Sequence, residues 1–195
     1  RGNGGGLESE AVNIVNMFVP KDVLVVSNRG KLKRMNHDYK TTAEPIDTVM
    51  PIVVLVNGGT ASASEITSGA LQDFDRAVVM GTRTYGKGLV QMTVDLPYNG
   101  NLKLTTNKYY IPSGRCIQAI NYKHARGGYT EHVPDSLTKV FRTLHGREVR
   151  DGGGIKPDVE IKPDTASNIQ TYLTSIIDST ETVLDYVVDY VAKHP

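Results

Sequence analysis

The stretch from Pro51 to Gln91, PIVVLVNGGTASASEITSGALQDFDRAVVMGTRTYGKGLVQ, constrains this chain more than any other. Ile52 to Val56 is an unbroken run of β-branched residues and leucine, the pattern of a strand buried on both faces in a parallel sheet. Asn57-Gly58-Gly59 stops it. From Ser62 the period changes: Ile66, Gly69, Ala70 and Phe74 fall on one helical face, with small residues that permit close packing. Ala77 to Met80 reads as the next buried strand, and Gly81 to Gly88 as a loop carrying a single lysine, Lys87. A strand, helix, strand unit is a right-handed crossover that brings the ends of both strands to one sheet edge. Lys87 is then expected within reach of Ser62.

Ser62 with Glu65 three positions later satisfies the capping-box pattern, so a plain N-cap is the ordinary explanation for this serine. A helix N-terminus also offers unpaired backbone N–H groups and a positive dipole end, which suit the oxyanion formed when an acyl carbonyl is attacked. A serine hydroxyl is a poor nucleophile until a base takes its proton. Lysine can be that base only when neutral. An exposed lysine is neutral in about one molecule in a few thousand at pH 7, but burial lowers its pKa by several units. Gly86, Gly88 and Leu89 are the small or uncharged neighbours such a lysine needs; a solvated surface lysine is the alternative. Gly81 to Lys87 also spells G-x-x-x-x-G-K, most of a phosphate-binding loop. That motif requires Ser or Thr next and a helix, whereas Gly88 and the alternating LVQMTVDL follow here.

Other chemistries find little support. Lys and Arg number 22 against 21 Asp and Glu, so there is no basic field and nucleic acid is not an expected partner. The five histidines, His37, His124, His132, His145 and His194, show no metal-ligand spacing, and neither a metal nor a cofactor is expected. There is no G-x-S-x-G elbow. No apolar run approaches the length that crosses a bilayer. The single cysteine, Cys116, rules out an internal disulfide.

GTASASEITSGALQD followed by RAVVMGTRTYGKGLVQ resembles the catalytic core of the C-terminal processing peptidases, the tail-specific proteases. The resemblance covers roughly residues 1 to 162. It implies Ser62 as nucleophile, Lys87 as base 25 residues later, and Gln91, four residues beyond, as the group that orients the lysine. Ser64 is then a neighbour in the helix turn. The opening Arg1-Gly2-Asn3-Gly4-Gly5-Gly6 is similar to the family's Arg-x-Asn-x-Gly-Gly, where a glycine N–H helps form the oxyanion hole. Ala63 N–H with Gly5 or Gly6 N–H would supply that hole. With no initiator methionine or signal peptide, the chain reads as a fragment or processed piece lacking the family's PDZ segment.

Leu7 to Phe18 places Ala11, Ile14, Val15 and Phe18 on one helical face, ended by Pro20. Val23 to Val26 is a short buried strand, and Gly30 to Lys40 an exposed turn or hairpin. Beyond Gln91, strands flank the turn at Pro97 to Asn101, and Tyr109 to Gly114 is similar to the family's Tyr-x-x-Pro-x-Gly. Residues 121–150 are polar and resist assignment; in the family such an insertion lies near the substrate groove. Gly152 to Pro163 resembles the family's Gly-Ile-x-Pro-Asp strand. From Ser167 the pattern is helical, with Ile169, Leu173, Ile176 and Ile177, then Leu184, Val187, Val188 and Val191. Helices of this kind pack into a core or a dimer, so a homo-oligomer stays open.

The expected architecture is an α/β layered core. The resemblance makes it a ClpP/crotonase-like spiral of β-β-α units, with a catalytic core over 1–163 and a C-terminal helical segment over 164–195. It implies a serine endopeptidase acting on protein or peptide substrates with apolar C-terminal tails, outside the cytoplasm, in the periplasm or cell envelope. The alternatives are a crotonase-like acyl-CoA enzyme, which needs a CoA pocket and no serine-lysine pair, and a catalytically silent peptide-binding relative.

Overall fold

The computed structural model describes residues 1–121, 129–130, 135–161 and 182–194, and divides into two compact units, Arg1–Ile161 and Lys162–Pro195. In the first unit helix α1 (Glu8–Asn16) leads to the hairpin β1 (Leu24–Gly30) and β2 (His37–Lys40). Strand β3 (Val53–Val56), helix α2 (Ala63–Asp73) and strand β4 (Val78–Gly81) follow, then the long hairpin β5 (Leu89–Leu96) and β6 (Gly100–Tyr110). Short ladders close the unit: β7 (Ile120–Asn121) with β8 (Tyr129–Thr130), and β9 (Val140–Arg142) with β10 (Glu148–Arg150). The last strand is β11 (Val159–Glu160). In the second unit the described helix is α3 (Thr182–Lys193), carrying Leu184, Val187, Val188 and Val191; Ile169, Leu173, Ile176 and Ile177 lie outside the described residues.

The fold is mixed α/β. One sheet is antiparallel in the order β2-β1-β6-β5, and a second is parallel in the order β11-β4-β3. They share one core with both helices: Val12 and Val15 from α1, Val25 and Val26 from β1, Ile66 and Ala70 from α2, Val79 from β4, with Ile117 and Ile155. Each of these valines and isoleucines removed from water contributes about 1.5–3 kcal/mol. Gly69 shows why α2 needs a small residue there. A Cβ at that position would stand 2.7 Å from the Cδ1 atoms of both Ile111 and Ile155.

Two expectations need correction. The strands flanking the Ser62 turn were expected to be buried on both faces, yet Val53 is 55%, Leu55 51% and Val78 44% exposed. Alternate side chains of a strand face opposite ways, and the helices and core cover only the face that holds Val56 and Val79. In α1 the buried residues are Ala11, Val12, Val15 and Asn16, while Ile14 is 46% exposed, because the helix presents to the core a stripe centred one position away from the expected one.

The parallel β3–β4 register fixes the site. Val56 lies opposite Gly81, so both strands end at the same edge and their loops leave together. Gly81 has φ +130°, and a Cβ on it would stand 2.0 Å from the Val56 carbonyl oxygen. Only glycine lets the two chains run this close.

Candidate active site

Two loops stitched together across that edge build the site. The Tyr85 N–H donates to the Thr60 carbonyl at 3.0 Å, and the Thr82 N–H to the Val56 carbonyl at 3.2 Å. Ser62 is the N-cap of α2, with φ 57° and ψ −123°. An ordinary capping serine has extended backbone. Positive φ at a non-glycine residue costs about 1–3 kcal/mol and persists where surroundings enforce it, most often at functional sites.

The enforcing contacts come from two sides. The Asn3 carbonyl accepts from the Ala61 N–H at 2.9 Å, which pins the glycine-rich opening segment on the turn. Gly5 follows at φ +93°, its α-carbon so close that a Cβ would stand 2.6 Å from the Ala61 carbonyl oxygen and 2.8 Å from the Ala63 nitrogen. From the helix side, Glu65 Oε2 accepts the Ser62 N–H at 2.9 Å.

Ser62, Lys87 and Gln91 line one cavity of about 300 Å³, together with Gly6, Glu8 and Tyr109. Lys87 and Gln91 also line an adjoining cavity of about 510 Å³ bounded by Gly58, Gly59 and Tyr85. Gln91 reaches this position through a β-bulge. Val90 pairs with Asn107 but Gln91 with Thr105, so Thr106 is the extra residue of β6. Bulges of this kind re-aim side chains beside functional sites. The Gln91 amide donates to the Thr105 hydroxyl at 3.5 Å. Since β5 begins right after Gly88, no helix follows the G-x-x-x-x-G-K segment, which disposes of the phosphate-loop alternative.

Of the expected oxyanion donors, Ala63 is the first residue of α2 and Gly6 lines the cavity beside Ser62. The Gly5 N–H is engaged by the Asn3 side-chain oxygen at 3.0 Å. Ser64 is the second residue of α2 and lines a separate cavity of about 360 Å³ with Leu7, Ile14 and Val54.

Three residues around this site were not singled out by sequence reading. Glu65, noted only as a capping partner, is fully buried and also accepts from Thr84, Gly86 and Lys87 across the two loops. Burial pushes its carboxyl above the ordinary range, against the opposing pull of those hydrogen bonds. Tyr109, 2% exposed, places its hydroxyl against the Lys87 carbonyl and 3.2 Å from the Ser62 carbonyl. Burial raises its phenol well above the usual value, so it stays a neutral donor. Glu8, in the first turn of α1, accepts from the Asn28 amide at 2.8 Å, and burial raises its carboxyl as well. The capping box and the Tyr-x-x-Pro-x-Gly pattern were signals for the first two. Nothing local marks Glu8. Among the described residues no cluster of three or more His, Cys, Asp or Glu could hold a metal ion, and no helix is long and apolar enough to cross a membrane.

Residues 1–125 match the pattern of peptidase family S41. The chain belongs to peptidase family S41. It is 45% identical over 118 residues to the carboxy-terminal-processing protease of Bartonella bacilliformis, an alignment covering 60% of this chain and 27% of that protein. It is 39% identical over 146 residues to the chloroplastic C-terminal processing peptidase of Tetradesmus obliquus, covering 74% of this chain and 31% of that one. The chain thus spans about a third or less of the curated relatives it matches. Among solved structures it is similar to the photosystem II D1 C-terminal processing protease, with a TM-score of 0.58 and 32% identity over 84% of this chain and 33% of that one. A putative S41 protease from Bacteroides fragilis shares the fold at a TM-score of 0.57 and 18% identity, covering 100% of this chain and 44% of that one.

Proposed function

We propose that this S41 chain carries the catalytic core of a serine endopeptidase that cleaves proteins at or near their C-terminal regions through a Ser62–Lys87 dyad. One observation carries the reading: a strained serine at a helix N-cap, a lysine from the neighbouring loop and Gln91 line the same cavity. In this reading neutral Lys87 takes the Ser62 proton as the hydroxyl oxygen attacks the scissile carbonyl carbon. The tetrahedral oxyanion is held by the N–H groups of Ala63 and Gly6, since Gly5 gives its own to Asn3. Lys87 then protonates the leaving amine, an acyl-enzyme remains on Ser62, and water hydrolyses it with Lys87 again as base. Gln91 orients the lysine.

The proposal extends to the surroundings of the site. The core over 1–163 is taken as a ClpP/crotonase-like spiral and 164–195 as a helical appendage, with an extracytoplasmic setting and substrates that end in apolar tails. The test is cleavage of an unfolded protein bearing an apolar C-terminal tail by the full chain. Ser62→Ala and Lys87→Ala are each expected to abolish cleavage. Cleavage by Lys87→Ala at the wild-type rate would mean that the base is another group.

A further inference from the structure

We propose that Glu65 is a positioning residue for the Ser62–Lys87 pair: its buried carboxylate clasps the nucleophile turn to the lysine loop and thereby sets how hydroxyl and amine meet. This rests on the dyad reading above. Oε2 accepts from the backbone N–H groups of Ser62 and Lys87, both at 2.9 Å, so the two reacting residues hang from one oxygen atom. Oε1 accepts from the Thr84 hydroxyl at 2.5 Å and the Gly86 N–H at 2.7 Å. A capping glutamate needs only the first of these. The other three come from 19 to 22 residues downstream, on a different loop.

The four donors fill the roughly four lone-pair sites of an ionised carboxylate. Thr84 Oγ1 in turn receives the Ile155 N–H at 2.6 Å, which extends the network to the segment before β11. A proton on Oε2 would have to displace one of its two backbone N–H donors. The clasp is therefore a buried carboxyl group whose acceptor sites face donors from both loops, and hydrogen bonds to its ionised form are about twice as strong as neutral ones. It holds Lys87 at the main-chain amide, which leaves the side-chain nitrogen for the serine. Movement of this one group moves both reacting residues.

The test is steady-state cleavage by the full chain, with active sites counted by titration with a serine-directed fluorophosphonate. Glu65→Gln presents an NH2 to at least one fixed backbone N–H whichever way the amide lies, Gly86 on one side or Ser62 and Lys87 on the other, so we expect kcat per titrated site to fall about 10²-fold, with KM within about threefold of wild type. Thr84→Val removes one donor and is expected to lower kcat about tenfold, with Thr84→Ser restoring it. Glu65→Gln at wild-type kcat per site, with Ser62→Ala and Lys87→Ala inactive, overturns the clasp and leaves the dyad standing. So does a loss of titratable sites with unchanged kcat in those that remain, the mark of a merely structural role. If Glu65→Gln fails to fold, the Thr84 pair decides: wild-type kcat in Thr84→Val overturns the proposal. Activity in Ser62→Ala or Lys87→Ala removes the dyad, and the clasp with it.

Discussion

Gly5→Ala puts a methyl group where the opening segment crosses the Ser62 turn. The new Cβ would lie 2.6 Å from the Ala61 carbonyl oxygen, 2.8 Å from the Ala63 nitrogen and 3.0 Å from the Ser62 Cβ. Two of these neighbours are main chain and cannot rotate aside. Restoring ordinary contact near 3.4 Å displaces the turn or the opening segment by about 0.8 Å, and displacements near 1 Å at a reacting group cost about 10²-fold in rate. The backbone adds its own cost, because φ +93° is unfavourable for alanine by about 1–2 kcal/mol. Gly2→Ala separates the two effects. Gly2 also has positive φ, at +72°, but a Cβ there meets nothing within 4 Å. Both variants should unfold at lower temperature than wild type by calorimetry, and only Gly5→Ala should lose cleavage about 10²-fold in kcat. Wild-type kcat in Gly5→Ala, or equal loss in both variants, would refute the reasoning.

Tyr109→Phe removes the hydroxyl shared by the Ser62 and Lys87 carbonyls and should cost about 0.5–1.5 kcal/mol in denaturant unfolding; an unchanged midpoint would mean the hydroxyl holds neither loop. The Arg115–Asp73 pair, 2.8 Å apart with both side chains buried, ties α2 to the segment after β6. Arg115→Leu strands a buried carboxylate and should destabilise the chain by about 3–5 kcal/mol in the same assay, and a loss below about 1 kcal/mol would contradict this. Asp38 is held below the ordinary aspartate range, first by the Ser27 hydroxyl and then by Arg29. A depressed carboxyl stabilises the β1–β2 hairpin above its unfolded pKa, near about 3.9, and that contribution is lost as pH falls through the lower folded value. Ser27→Ala should move the Asp38 midpoint upward in an NMR titration; no movement would reassign the cause.

What could be read from the sequence is what is encoded locally. The apolar run before Asn57, the change of period at Ser62 and the return to a strand at Ala77 placed α2 between two parallel strands, and the register of Val56 with Gly81 brings Ser62 and Lys87 to one edge. Gln91 was singled out by the family resemblance alone, and it lines the same cavity as Ser62 and Lys87. Burial was misjudged where it depends on distant partners: the apolar run at Val53 to Val56 does not say which face the helices will cover, nor the stripe of α1 that Ile14 would miss. Glu65 shows the same limit at the site. Its capping pattern was visible, but the three donors from the lysine loop exist only once the strand ends meet. The Gly5 amide is similar, for nothing in the motif says that Asn3 will occupy it.

The dyad is tested most directly by labelling the full chain with a fluorophosphonate and mapping the adduct by peptide mass spectrometry. We predict a single adduct on Ser62 that forms far more slowly in Lys87→Ala. An adduct on Ser64, or labelling of Ser62 at a rate indifferent to Lys87, would contradict the Ser62–Lys87 assignment.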